Sequence, residues 1–132
     1  MPVTDPIADM LVIVKNGVMA GKQSVVVKGS KINENILKIL QKEGFILNYK
    51  SVEDKKQGTI KVYLKYEKNK IPALAGLRRV SKPGLRIYTK HSEIKTVYGG
   101  IGIALISTSK GVITDKEAKE KKIGGEILCE AW

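Results

Sequence analysis

Cysteine, histidine and acidic side chains are all scarce in this chain, and each shortage removes a class of function. The one cysteine, Cys129, has no internal disulfide partner and no companion Cys or His at the close spacing of a zinc site. A buried place in the last strand is expected for it, in a protein of the reducing cytoplasm. The one histidine, His91, lies in the polar segment TKHSE, which reads as a solvated loop and not as the setting of a general base. No apolar stretch approaches the roughly 18 to 20 residues of a membrane span. The amino terminus MPVTDPIADM has no basic region leading into an apolar one, so secretion and membrane insertion are not expected. No internal repeat or low-complexity segment is visible.

Catalytic motifs are equally thin. The glycines at 99, 100 and 102 are followed by a strand-like run and by no Gly-Lys-Ser/Thr ending, which points to strand bulging and not to a phosphate loop. Ser109 and Lys110 are neighbours, so on a strand they would face opposite ways and form no activated pair. Asp5 and Asp9 stand one helical turn apart, but Asp5 is explained as a helix cap. No cofactor and no metal are expected, and the chain does not read as an enzyme.

What is abundant is positive charge. Lys and Arg number 24 against 13 Asp and Glu, a formal +11 on 132 residues. A field this strong serves an acidic partner, nucleic acid or an anionic membrane, and not folding itself. Residues 1 to 68 hold 12 basic and 7 acidic side chains, and residues 70 to 110 hold 8 basic with Glu93 as the single acid. The remainder from 111 is nearly balanced, with 4 basic and 5 acidic. The excess is therefore densest in the first part of the second half.

A 42% hydrophobic content supports a real core in one domain or two small ones. Asp5-Pro6 announces a first helix with Ile7, Met10, Leu11, Val14 and Val18 on one face. Val12 and Ile13 lie off that stripe and hint at a second covered surface. Ser24 to Val27 reads as a short strand, and Ser30 opens a helix that turns Ile32, Ile36, Leu37, Ile39 and Leu40 inward and ends at Gly44. Phe45 to Val52 and Thr59 to Tyr66 form a hairpin across the polar turn at 53–58. Both helices fit one face of the small sheet. The break at 68–72, where composition turns almost purely basic, is the expected boundary. Beyond it come short extended segments: 77–80, the turn Ser81-Lys82-Pro83-Gly84, 85–89 and 99–106. The fold class is α/β (α+β): an N-terminal αβαββ layer at 1–68 and a mainly β C-terminal domain with one short helix at 69–132.

Two segments carry the functional signal. In RRVSKPGLRIY, read as a basic hairpin, Arg78, Arg79, Lys82 and Arg86 stand together with no acidic neighbour, whereas a merely solvated face mixes both signs. Tyr88 suits stacking and sheet packing equally well. Ser107, Thr108, Ser109, Lys110 and Gly111 then form a hydroxyl-rich loop between an apolar run and a capping box, Thr114 with Glu117. Gly124 and Gly125 stop the helix that follows, and a final strand runs to Trp132, which is expected to be packed. Short hydroxyls beside a lysine suit hydrogen bonding to a polyanion or to base edges.

DPIADML at 5–11, EGFI at 43–46, QGTIKVYLKY at 57–66, RVSKPGLRIY at 79–88, STSKGVITDKEA at 107–118 and GGEILCEAW at 124–132 resemble the bacterial small-subunit ribosomal protein conventionally numbered eight. The resemblance covers essentially the whole chain. It implies a two-domain protein that binds small-subunit ribosomal RNA directly and early in assembly, at an irregular helix of the central domain. It assigns base and sugar contacts to Ser107 through Gly111, with Tyr88 and Glu126 close by, and N-terminal backbone contacts to Thr4, Asp5, Lys15, Ser30 and Lys31. It implies neighbouring ribosomal proteins as partners, repression of the protein's own operon mRNA in some members, and a ribosome in the cytoplasm or an organelle as the location. Helix 1 departs from the family's usual MLTRIRNA: MLVIVKNG places Ile13 where an Arg is common and keeps Lys15, so Val12 and Ile13 are candidates for meeting another protein.

The bottom-up mechanism joins these parts. An RNA duplex hides its base edges in a deep narrow groove, so selection falls on the minor groove, 2′-hydroxyls and distorted bases. The Arg and Lys cluster would supply attraction through phosphates, and Ser107 to Ser109 would select. The rival readings are a basic nucleic-acid-modifying enzyme, which would lose activity to a chelator, and a protein-only interaction module, whose binding would ignore salt and RNase.

Overall fold

The computed structural model describes residues 5–52 and 58–132, so Thr4 and most of the turn at 53–58 lie outside the described residues. Two compact units are present: Pro6–Gly76, and Leu77–Trp132 together with Asp5. The units part later than the compositional break at 68–72. That break folds back on the strand before it, through Ala73 N–H to the Lys65 carbonyl at 3.0 Å and a bridge between Tyr66 and Pro72.

In the first unit α1 (Pro6–Met19) starts at its proline, whose missing N–H costs nothing at the first helical position. Ile7, Met10, Leu11, Val14 and Gly17 are buried at helical spacing. A Cβ at Gly17 would collide with Val25 and lie 3.3 Å from Leu64, so the glycine lets α1 sit close on the sheet. Val12 and Ile13 are 55% and 38% exposed, so within the described chain the second apolar surface of this helix stays open.

The second helix, α2 (Lys31–Lys42), is capped by Ser30, whose side chain accepts from Asn33 N–H at 3.2 Å. Gly44, at φ +83°, ends it: Phe45 N–H reaches the Leu40 carbonyl at 2.8 Å and Gly44 N–H the Gln41 carbonyl at 3.0 Å. Strands β1 (Ser24–Lys28), β2 (Ile46–Val52) and β3 (Thr59–Leu64) form an antiparallel sheet in the order β1-β3-β2. Val25, Val27, Ile60, Val62 and Leu64 bury one face under both helices, as the αβαββ pattern implies.

The second unit is built on β8 (Gly125–Ala131), flanked by β6 (Ile103–Thr108) on one side and by β4 (Leu77–Arg79) and β5 (Tyr88–Thr89) on the other. The segment read as a hairpin is one only at its tip, where Lys82 and Leu85 exchange backbone hydrogen bonds at 2.9 Å across Pro83-Gly84. β4 pairs with Cys129 to Ala131 and β5 with Gly125 and Glu126, so the two lie end to end along one edge of β8. The chain between them is closed by the buried Ser81, whose Oγ accepts from Ile87 N–H at 2.9 Å and donates to the Ile87 carbonyl at 3.2 Å.

Strand β6 begins at Ile103. Of the glycines before it, Gly99 and Gly100 belong to a tight 3-10 turn, Tyr98–Gly100, with Tyr98, Gly99 and Gly100 all at positive φ, and not to a bulged strand. After β6 the chain reverses into β7 (Gly111–Thr114), a strand that sequence reading merged into the loop. Thr114 then caps α3 (Asp115–Lys121) by accepting from Glu117 N–H at 3.2 Å. Lys122, in the left-handed region at φ 54°, ends that helix, so Gly124 and Gly125 are free for another task. Trp132 is half-buried and its ring lies 5.0 Å from that of Tyr98.

Candidate nucleic-acid interface

Ile103 to Ile106 are buried, and the two residues that follow on β6, Ser107 and Thr108, emerge at the end of the sheet. Ser109 and Lys110 form the two-residue turn into Gly111, whose φ of +106° suits glycine. Thr108 holds this turn: its Oγ1 accepts from Lys110 N–H at 3.1 Å and donates to the Gly111 carbonyl at 2.8 Å. One of the three hydroxyls therefore serves the protein's own backbone. The side chains of Ser107 and Ser109 have no hydrogen-bond partner among the described residues.

Strand register assembles the rest. Tyr88 on β5 is opposite Glu126 on β8, and Glu126 is opposite Ser107 on β6, so the three stand in one row on one face. Tyr88 is 69% exposed, which decides between the two readings of its ring: it is displayed, not packed. Gly124 and Gly125 make this row possible. A Cβ at Gly125 would run into the Ser107 carbonyl oxygen, and one at Gly124 into the Thr89 carbonyl oxygen. The glycine pair thus lets β5 and β6 approach the start of β8 together.

The arginines read as lacking acidic neighbours acquire them through β8. Arg78 pairs with Glu130, and Arg86 donates to Glu126 at 3.0 Å. Arg79 donates to Asp5 at 3.1 Å and to the Leu128 carbonyl at 2.6 Å, and its side chain is only 9% exposed. Sequence neighbours carry no acid, but the strands that pair with β4 and β5 do. Arg79 and Asp5 are accordingly bound to each other, and Arg78 and Arg86 are shared with carboxylates. Lys82 and Lys110 are exposed with no ion pair among the described residues. Lys15, Ser30 and Lys31 belong to the other unit, where Lys15 and Lys31 are exposed and Ser30 is occupied as a cap.

Sequence reading missed the role of Glu130 and the staple at Ser81. Glu126 and Glu130, at even spacing on the last strand, were the available signal for the first, and nothing local marks the second. His91 is exposed in a 3-10 turn. Burial pushes the Cys129 thiol up to about 12, which makes it inert as a nucleophile at neutral pH. Among the described residues no helix is long and apolar enough to cross a membrane.

A stiff turn with two unclaimed hydroxyls and an exposed lysine, beside an exposed tyrosine at one end of a small sheet, has the chemistry to meet a polyanion. Comparison with known proteins fits that reading. Residues 5–132 match the family described as ribosomal protein S8. Over all 132 residues and the full length of each relative, the chain is 50% identical to small ribosomal subunit protein uS8 of Syntrophomonas wolfei, 53% to that of Pediococcus pentosaceus and 52% to that of Latilactobacillus sakei. The chain belongs to the ribosomal protein S8 family, and is a structural constituent of the ribosome and not an enzyme.

Proposed function

We propose that this chain is a primary RNA-binding protein of the small subunit, gripping an irregular helix of the central rRNA domain and helping that domain assemble. The observation that carries this reading is the row Tyr88, Glu126 and Ser107 beside the Thr108-stiffened turn. Ser107 and Ser109 offer hydroxyls to 2′-hydroxyls and base edges, and Tyr88 offers a ring to an unstacked base. Glu126 can accept from a base amino group on the side that Arg86 leaves open. Lys82 and Lys110 meet phosphates, joined in part by Arg78 and Arg86 once their carboxylates are shared. Gly111 keeps the turn compact. Arg79 and Asp5 act behind this surface by holding β4 in place.

Lys15, Ser30, Lys31 and Thr4 contribute backbone contacts from the N-terminal part. Other small-subunit proteins are its neighbours, and the site of work is the cytoplasmic ribosome. The same surface represses the protein's own operon mRNA where that message imitates the ribosomal site.

Crosslinking the full chain to total cellular RNA and sequencing the bound fragments tests the reading. The expected result is strong enrichment of one irregular central-domain helix, with a fragment of the operon message as a second peak. Crosslinks spread over all RNAs in proportion to abundance would contradict selective binding.

A further inference from the structure

The sheet of the first unit buries one face under its helices and leaves the other open. Register places the exposed Val26, Lys61 and Lys50 in one row across β1, β3 and β2, with Tyr63 on one side of Lys61 along β3 and Lys28 beyond Val26 along β1. Three properties of this face stand out.

Lys50 and Lys61 are directly opposed across two strands, an arrangement that disfavours the sheet through like-charge repulsion. None of Lys28, Lys50 and Lys61 has an ion pair among the described residues, in contrast to the arginines of the second unit. The Lys61 ammonium instead lies 5.3 Å from the centre of the Tyr63 ring. Apart from that ring contact, nothing among the described residues offsets this concentration of charge.

We propose that this open face is a second RNA surface, on which Lys28, Lys50 and Lys61 neutralise the phosphates of an RNA segment other than the one held by the Ser107–Gly111 turn. Charge complementarity selects the occupant: three ammonium groups without carboxylate partners on the open face of an antiparallel sheet fit a phosphate backbone, and Tyr63 beside them gives a base something to lie against. Val26 and Val52 supply apolar ground for sugars between the lysines. The surface does not use the row of Tyr88 and Ser107, although it rests on the reading that the chain works against rRNA.

The test is the full chain carrying Lys28→Gln, Lys50→Gln and Lys61→Gln, measured against small-subunit rRNA. All three side chains are exposed, and their removal relieves repulsion, so the melting temperature should be unchanged or higher. Each phosphate contact contributes about 0.7 to 0.9 to the slope of log affinity against log salt, so the slope should become shallower by roughly 2. Hydroxyl-radical footprinting should show one protected rRNA segment lost while the segment protected by the Ser107–Gly111 turn stays. An unchanged slope and footprint would overturn the proposal. So would a variant that keeps both but fails to recruit a neighbouring protein in reconstituted subunits, because the face would then serve a protein. If the unaltered chain itself protected no rRNA, the broader function would fail, an outcome distinct from either of these.

Discussion

Arg79 shows how far a residue's meaning can move between sequence and structure. Next to Arg78 it reads as a phosphate ligand, yet its side chain is 9% exposed and its guanidinium is tied to Asp5 and the Leu128 carbonyl. Arg79→Ala should therefore cost roughly 2 to 4 kcal/mol in urea unfolding, since it removes a largely buried ion pair to Asp5 together with the donor to the Leu128 carbonyl. The salt dependence of RNA binding should stay that of the wild type; a shallower slope at unchanged stability would return Arg79 to the phosphate surface. Cys129 allows a second residue-scale check. Its folded pKa of about 12 lies above the ordinary 9.0, so the native state keeps a proton that the unfolded chain gives up. The resulting contribution is fully present below pH 9 and declines above it by about 1.4 kcal/mol per pH unit until the folded thiol also ionises. The stability of the wild type relative to Cys129→Ala should hold constant up to that pH and then shrink. A difference that stayed flat to pH 11 would mean that the thiol is not held in a dry site.

At the scale of elements, helices were legible because their signals are local. Ser30, Gly44 and the periodic apolar stripe mark α2 without reference to anything distant, and Pro6 does the same for α1. The partners of β4 and β5 were not, because pairing with β8 joins residues some fifty and forty apart in the sequence, and a Pro-Gly turn between two extended runs looks like a hairpin from within. The role of Gly124 and Gly125 was misread for a related reason: a glycine pair after a helix suggests a stop, while their close approach to Ser107 and Thr89 exists only in the folded sheet. Gly125→Ala should push β8 away from β6, costing about 2 kcal/mol or more and weakening rRNA binding, because the backbone carbonyl it meets cannot rotate aside as a side chain would. Wild-type stability and affinity would show that the strands shift without consequence. On α1 the exposure of Ile13 leads to the opposite expectation. Ile13→Arg should change stability by less than about 0.5 kcal/mol, and a collapsed thermal melt would place that side chain in the core.

For the molecule as a whole, net charge pointed to the class of partner but not to the cations that meet it. The formal +11 includes arginines that the fold spends on its own carboxylates and lysines in each unit that have no ion pair among the described residues. Segment composition sees only neighbours along the chain, so the arginine cluster looked more available than it is, and the lysines spread over β1, β2 and β3 did not look like a cluster. The hydroxyl turn was legible because its residues are consecutive. That turn carries the central claim, selective recognition by Ser107 and Ser109 on a support made rigid by Thr108. Binding of the Ser107→Ala, Ser109→Ala variant to the cognate small-subunit rRNA fragment and to an unrelated RNA duplex tests it most directly. Losing hydrogen bonds to a buried RNA group at about 1 to 3 kcal/mol should weaken cognate binding by roughly 5- to 150-fold and leave duplex binding nearly unchanged. Equal losses on both RNAs, or no loss on either, would contradict it.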